Sequence, residues 1–137
     1  MCGRFMATAS ADELAAWFSA RRPPADLPAR WNIAPTNDVY AVLETKPGER
    51  RLEIFRWGLV PGWAKEARIG SSLVNARAET IADKPAFRTA FRKRRCLVPM
   101  SGFYEWHGTT IDPRTGKEKK QPYLITSTSG PVLALAL

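Results

Sequence analysis

Apolar positions between residues 10 and 20 recur at helical spacing: in SADELAAWFSA, Leu14, Trp17 and Phe18 fall on one face. Ser10 stands ahead of that run with Glu13 three residues on, the pairing of a capping box, and RRPP ends the helix. Before it, Gly3 to Ala7 reads as a short strand. DVYAVLET and RLEIFRW carry the branched and aromatic residues of strands and are joined by the turn KPGER. RCLVPM, GFYEWH, PYLITS and VLALAL read as further strands, and PAFRTAFRKR, with Pro85 in its first turn, as a helix separating the two groups. TTIDPRTGKEKKQ is polar and turn-rich, which predicts a hairpin loop projecting into solvent.

Several strands, few helices and no regular βαβ alternation predict an α+β fold: an antiparallel sheet or open barrel-like core with a few short helices. A chain of 137 residues suits one domain spanning 1–137. VLALAL reaches the last residue without a polar cap, so the expectation is a domain lacking its C-terminal part. The longest apolar runs are too short to cross a bilayer, and MCGRFMATASADEL lacks the apolar core of a secretory signal. Both features point to a soluble, cytoplasmic protein.

Charge sharpens the picture. Lys and Arg number 21 against 13 Asp and Glu, a formal charge of +8. That excess favours an anionic partner. Six of the basic residues lie between Lys84 and Arg95 in KPAFRTAFRKRR, which contains no acid. Two cysteines, Cys2 and Cys96, and the single His107 do not supply a zinc site, so neither a metal nor a cofactor is implied.

Candidate chemistry gathers in four places. Cys2 becomes the N-terminus if Met1 is removed, and then carries an amine and a thiol on adjacent carbons. Alternation along the first strand puts Arg4 on the same face as Cys2. In GFYEWH, alternation groups Phe103, Glu105 and His107, which makes Glu105 a carboxylate among aromatics suited to proton exchange. The competing reading is an edge-strand glutamate pointing at water. In SLVNARAET the same rule groups Asn75, Arg77 and Glu79, a set able to hold a sugar and its phosphate; the competing reading is a structural Asn turn and an ordinary surface arginine. RWGLVPGWAK places Trp57 at a strand end, as core, and Trp63 in a loop where it can stack on an unpaired base. Cys96 reads as a buried strand residue.

Taken together, MCGRF, WNIAPT, RWGLVPGWAK, VNARAET, KPAFR, RRCLVP and SGFYEW resemble the SOS response-associated peptidase family, whose members are also described as abasic-site processing proteins. The blocks occur in family order over nearly the whole chain. The resemblance implies that Cys2 condenses with the aldehyde of an abasic site in single-stranded DNA and closes a thiazolidine crosslink, with associated lyase activity. It further implies that Asn75 hydrogen-bonds the adduct, that Glu105 handles protons, and that Arg4 and Arg77 grip flanking phosphates. Trp63 and the loop from Asn32 to Pro35 would splay the strand. Implied partners are single-stranded DNA with abasic sites, including single-strand/double-strand junctions; the expectation is a monomer if the domain is complete, associated with the nucleoid when bound to DNA. The family's catalytic histidine lies beyond the segment present, and His107 is not its substitute. Two rival functions remain open: a Cys2-dependent peptidase or autoprocessing hydrolase, and a non-covalent single-stranded DNA binder or inactive fragment.

Overall fold

The computed structural model describes residues 3–136. β4 (Asp38–Lys46) is its central strand, because both of its faces are covered. Val39 and Ala41 enter one apolar cluster, with Phe5, Ile33, Trp57, Val98 and Met100. Tyr40 and Val42 enter a second, with Ala11, Leu14 and Leu52. A strand read from its even and odd positions in this way has no polar face, and DVYAVL supplies none after Asp38.

Around β4 a five-stranded sheet runs β2 (Ala20–Arg21), β5 (Glu49–Arg56), β4, β6 (Leu97–Met100), β9 (Leu133–Ala136). The first helix, α1 (Ala11–Phe18), covers one face. A four-stranded sheet covers the other, in the order β3 (Arg30–Ile33), β1 (Phe5–Ala7), β7 (Gly102–Ile111), β8 (Glu118–Ile125). The pairings are antiparallel except β2 with β5. The sheets meet at the corner between β6 and β7, where the Ser101 N–H donates to the Met6 carbonyl at 2.7 Å and the Thr8 N–H donates to the Ser101 hydroxyl at 3.0 Å. Among the described residues no closed barrel forms, and the expected α+β class with mostly antiparallel sheets and few helices holds.

Local signals account for most elements. Ser10 and Glu13 form the reciprocal capping box, and the hydrogen bonds from Ser10 hold the Glu13 carboxyl below its usual range. Leu14 is buried, but Trp17 is 55% exposed and leaves the expected apolar face; its ring packs near Gly130 instead. The second helix, α2 (Arg88–Lys93), is shorter than the sequence pattern implied, and Pro85 sits in the turn that precedes it. β7 and β8 extend to Ile111 and Glu118, so the polar stretch expected to be a loop is largely a two-stranded ribbon closed by a turn at 112–117. Its side chains are exposed, but cross-strand hydrogen bonding, satisfied whatever the side chains are, carries the ladder beyond the apolar residues.

Two glycines close the loop between β5 and a 3₁₀ turn at Ala67–Ser71. Gly58 has φ of +126°, and a Cβ there would stand 2.2 Å from the Gly70 carbonyl oxygen. Gly62, in the same loop, would meet nothing within 4 Å. Gly58→Ala is therefore expected to destabilise the protein by about 3 kcal/mol or more, from backbone strain and a backbone clash together. Gly62→Ala is expected to stay within about 1 kcal/mol. Urea denaturation of the two variants checks the contrast, and equal midpoints would remove the close approach as a determinant.

Candidate nucleic-acid interface

Phe5 fixes the strand on which the interface is built. Its ring is 1% exposed and meets Trp57 edge-on, with centroids 5.0 Å apart. Ile33 of β3 and Phe103 of β7 lie directly opposite it on either side. Arg4 precedes Phe5, so its side chain leaves the opposite face. There the Arg4 Nη1 donates to Asn32 Oδ1 at 3.0 Å, across 28 residues of sequence. Asn32 adjoins buried Ile33 just as Arg4 adjoins buried Phe5, and both polar residues are exposed. Two expected DNA contacts thus form one pair.

Tyr104 ties this pair into the sheet. Its N–H donates to the Arg4 carbonyl at 2.9 Å, and its hydroxyl donates to the Trp31 carbonyl at 2.8 Å. The Trp31 side chain is 63% exposed. Sequence reasoning passed over Trp31; the available signal was an aromatic residue between Arg30 and Asn32, at a strand end leading into a turn. Pro35 lies half-buried in that turn. The Ala34 N–H donates to Asn37 Oδ1 at 3.0 Å, while Thr36 N–H donates to the Trp57 carbonyl and Trp57 N–H to the Asn37 carbonyl, each at 2.8 Å. The loop is thereby latched to the end of β5.

Glu105 and Asn75 arise from the other face. Glu105 shares the face of Phe103, which packs on the Phe5 cluster, and it stands half-buried opposite Tyr123. His107, next on that face, is exposed. Asn75 is half-buried and follows Val74, which packs on the same cluster. The expected strand through SLVNARAET does not form: the backbone at 73–77 is irregular, a turn follows at 78–83, and Arg77 and Glu79 are exposed. Alternation therefore does not group Asn75, Arg77 and Glu79. What relates Asn75 to Glu105 is the anchoring of their neighbours Val74 and Phe103 in one apolar cluster.

Trp63 is 61% exposed and lines an open pocket of about 320 Å³ with Lys65 and Arg68. Arg68 is paired with Glu66. Trp57, by contrast, is core, at 6% exposure. Cys2 lies outside the described residues, two positions before Arg4. Cys96 is half-buried immediately before β6, not within the strand, and burial raises its thiol pKa above the ordinary value. It is therefore held protonated, as a weak nucleophile.

An arginine next to a buried strand, a carboxamide bonded to it and the exposed indoles of Trp31 and Trp63 offer what a nucleic-acid strand requires: a phosphate contact and stacking surfaces. The whole sequence, residues 1–137, matches the model of the SOS response associated peptidase (SRAP) family. The chain belongs to the SRAP family. SRAP relatives with which it aligns include the abasic site processing protein YoaM of Bacillus subtilis (strain 168), 37% identical over 99% of this chain and 58% of that protein. The abasic site processing protein HMCES of Pongo abelii is 36% identical over 64% of this chain and 24% of that protein. Among solved structures, a protein from Bacteroides thetaiotaomicron superposes with a TM-score of 0.78 at 25% identity, covering 98% of this chain and 58% of that one. A protein from Bordetella bronchiseptica gives 0.73 at 27% identity, covering 98% and 62%. This SRAP chain spans little more than half the length of YoaM and of these two solved proteins.

Two measurements check the local geometry of this SRAP chain. Tyr104→Phe, which removes only the bond to the Trp31 carbonyl, should cost about 1 kcal/mol in urea denaturation and increase amide exchange in β3. Unchanged exchange would mean that the hydroxyl does not hold the strand. Cys96 should alkylate slowly at neutral pH and accelerate only as pH rises past the ordinary thiol range, about 8.5. Rapid labelling of Cys96 at pH 7, read by peptide mass, would contradict its burial.

Proposed function

We propose that this chain processes abasic sites in single-stranded DNA by covalent capture through Cys2. The observation that carries the reading is the Arg4–Asn32 pair, which joins the residue just before β1 to β3 in a chain of the SRAP family. The relatives' names, abasic site processing protein, support the substrate class.

Removal of Met1 exposes the Cys2 amine, whose ordinary pKa of about 7.7–8.0 leaves an appreciable neutral fraction at physiological pH. The amine adds to the aldehyde carbon of the ring-opened sugar, and the resulting carbinolamine loses water to give an imine. The thiolate then adds to the imine carbon while the nitrogen takes a proton, closing the five-membered thiazolidine. One water leaves overall. Glu105 supplies the proton that expels the hydroxyl and takes one up in return; Asn75 hydrogen-bonds the adduct. Arg4 and Arg77 hold phosphates on either side of the missing base, and Trp63 and the Asn32–Pro35 turn keep the strand open. At the imine stage the neighbouring sugar carbon is acidified, and loss of its proton can expel the 3′ phosphate, which is the lyase branch of the same chemistry. Junctions between single and double strands fit this mode, since only the strand carrying the lesion must enter. A hydrolase reading of Cys2 draws on the family name alone.

Incubation with an abasic single-stranded oligonucleotide, followed by denaturing electrophoresis and mass determination of the protein N-terminus, tests the proposal. Cys2→Ala should abolish the shifted band while leaving salt-dependent DNA binding largely intact. A persistent crosslink in that variant would move the nucleophile elsewhere. Glu105→Gln should slow crosslinking more than it weakens binding. Arg77→Ala should weaken binding and reduce the salt slope by about 0.7, the value of one phosphate contact on a single strand.

A further inference from the structure

Five cations from two separate stretches of sequence converge on a groove of about 830 Å³ in the five-stranded sheet. Lys46 and Arg50 come from the β4–β5 hairpin; Arg92, Lys93 and Arg95 come from α2 and its exit toward β6. All five are exposed. Among the described residues lining the groove, Glu44 is the one carboxylate, and its Oε1 accepts the Gly48 N–H at 2.7 Å, closing the hairpin turn. Arg50 is set in place by donating from Nη1 to the Phe18 carbonyl at 3.1 Å. Phe18, Val42 and Leu97 give the groove an apolar floor.

Like charges gathered on a concave surface focus a positive potential and favour an extended polyanion over isolated counterions. An apolar floor between basic walls suits a single strand, with phosphates on the walls and sugars and base faces below. A duplex presents its own convex backbone and leaves such a floor uncovered. We infer that this groove is a second track for single-stranded nucleic acid. It is built from the five-stranded sheet, α2 and the end of α1, whereas the Arg4–Asn32 pair lies against the four-stranded sheet. The inference rests on the proposed function only in taking DNA as the polyanion, so its test uses intact oligonucleotides and is independent of the Cys2 chemistry.

Binding of an unmodified oligonucleotide of about 30 nucleotides is measured from 50 to 300 mM salt. The combined variant Arg92→Ala, Lys93→Ala, Arg95→Ala should lower the slope of log affinity against log salt by about 2, from about 0.7 for each phosphate released on a single strand. A control removing equal charge from the β7–β8 ribbon, Arg114→Ala, Lys117→Ala, Lys120→Ala, should change the slope by less than about 0.7. Circular dichroism and melting establish that each variant folds; if the triple variant does not, the single substitutions should each lower the slope by about 0.7. Crosslinking to a short abasic oligonucleotide should be unaffected by the groove variant. Three outcomes overturn the inference: an unchanged slope in the groove variant, an equal fall in the control, or a loss confined to duplex DNA or to phosphatidylserine vesicles.

Discussion

The burial of Phe5 is the constraint on which the rest depends. A short strand near the start of a chain is normally among the least protected parts of a fold. Here one phenylalanine, enclosed by Ile33, Phe103 and the edge of Trp57, fastens that strand between two others. Full burial of such a side chain contributes roughly 2–3 kcal/mol, and the aromatic contact adds about 1. Arg4 inherits its position from this contact. A side chain on a loose terminus has still to be ordered before it can hold any contact; one beside a fastened strand has already been ordered by folding.

The same cluster serves both faces of the candidate interface. Phe103 and Val74 pack into it, and the residues that follow them, Glu105 two positions on and Asn75 at the next, emerge half-buried. On the opposite face Arg4, Asn32 and the Tyr104 hydroxyl are joined by hydrogen bonds to a side chain or a backbone carbonyl. Polar groups placed by neighbours in a close-packed core move little, because displacing them requires the core to repack. Two sheets pressed together by β4 therefore act as the rigid support, while Trp31, Trp63 and the basic residues stay at the surface.

Backbone geometry makes its own contribution in the loop after β5. Gly58 and Gly70 lie against each other, so the chain between them, which carries Trp63, is held at a separation that side chains on either residue would prevent. Thr36 on the left-handed side of φ, at +76°, gives the Pro35 turn a comparable fixed shape, and its N–H bond to Trp57 compensates that conformation.

Patterning alone determined the elements whose cause is local. The capping box of Ser10 and Glu13, the β4–β5 hairpin, the strands around Leu97 and Phe103, and the excess positive charge are all written in neighbouring residues. The motif blocks also carried the family. Tertiary structure decided the rest. SLVNARAET alternates like a strand, yet no neighbouring strand pairs with it, and alternation without a ladder places nothing. Trp17 has helical spacing, but Ala11 and Leu14 fill the buried layer with Phe18 packed beside them, and Trp17 is left exposed. The Arg4–Asn32 pair and the meeting of hairpin and α2 cations in one groove join residues far apart in sequence, and which of many possible pairs meet depends on how the two sheets stack. That choice is made by volume and burial summed over the whole core, a property that no short stretch of sequence contains.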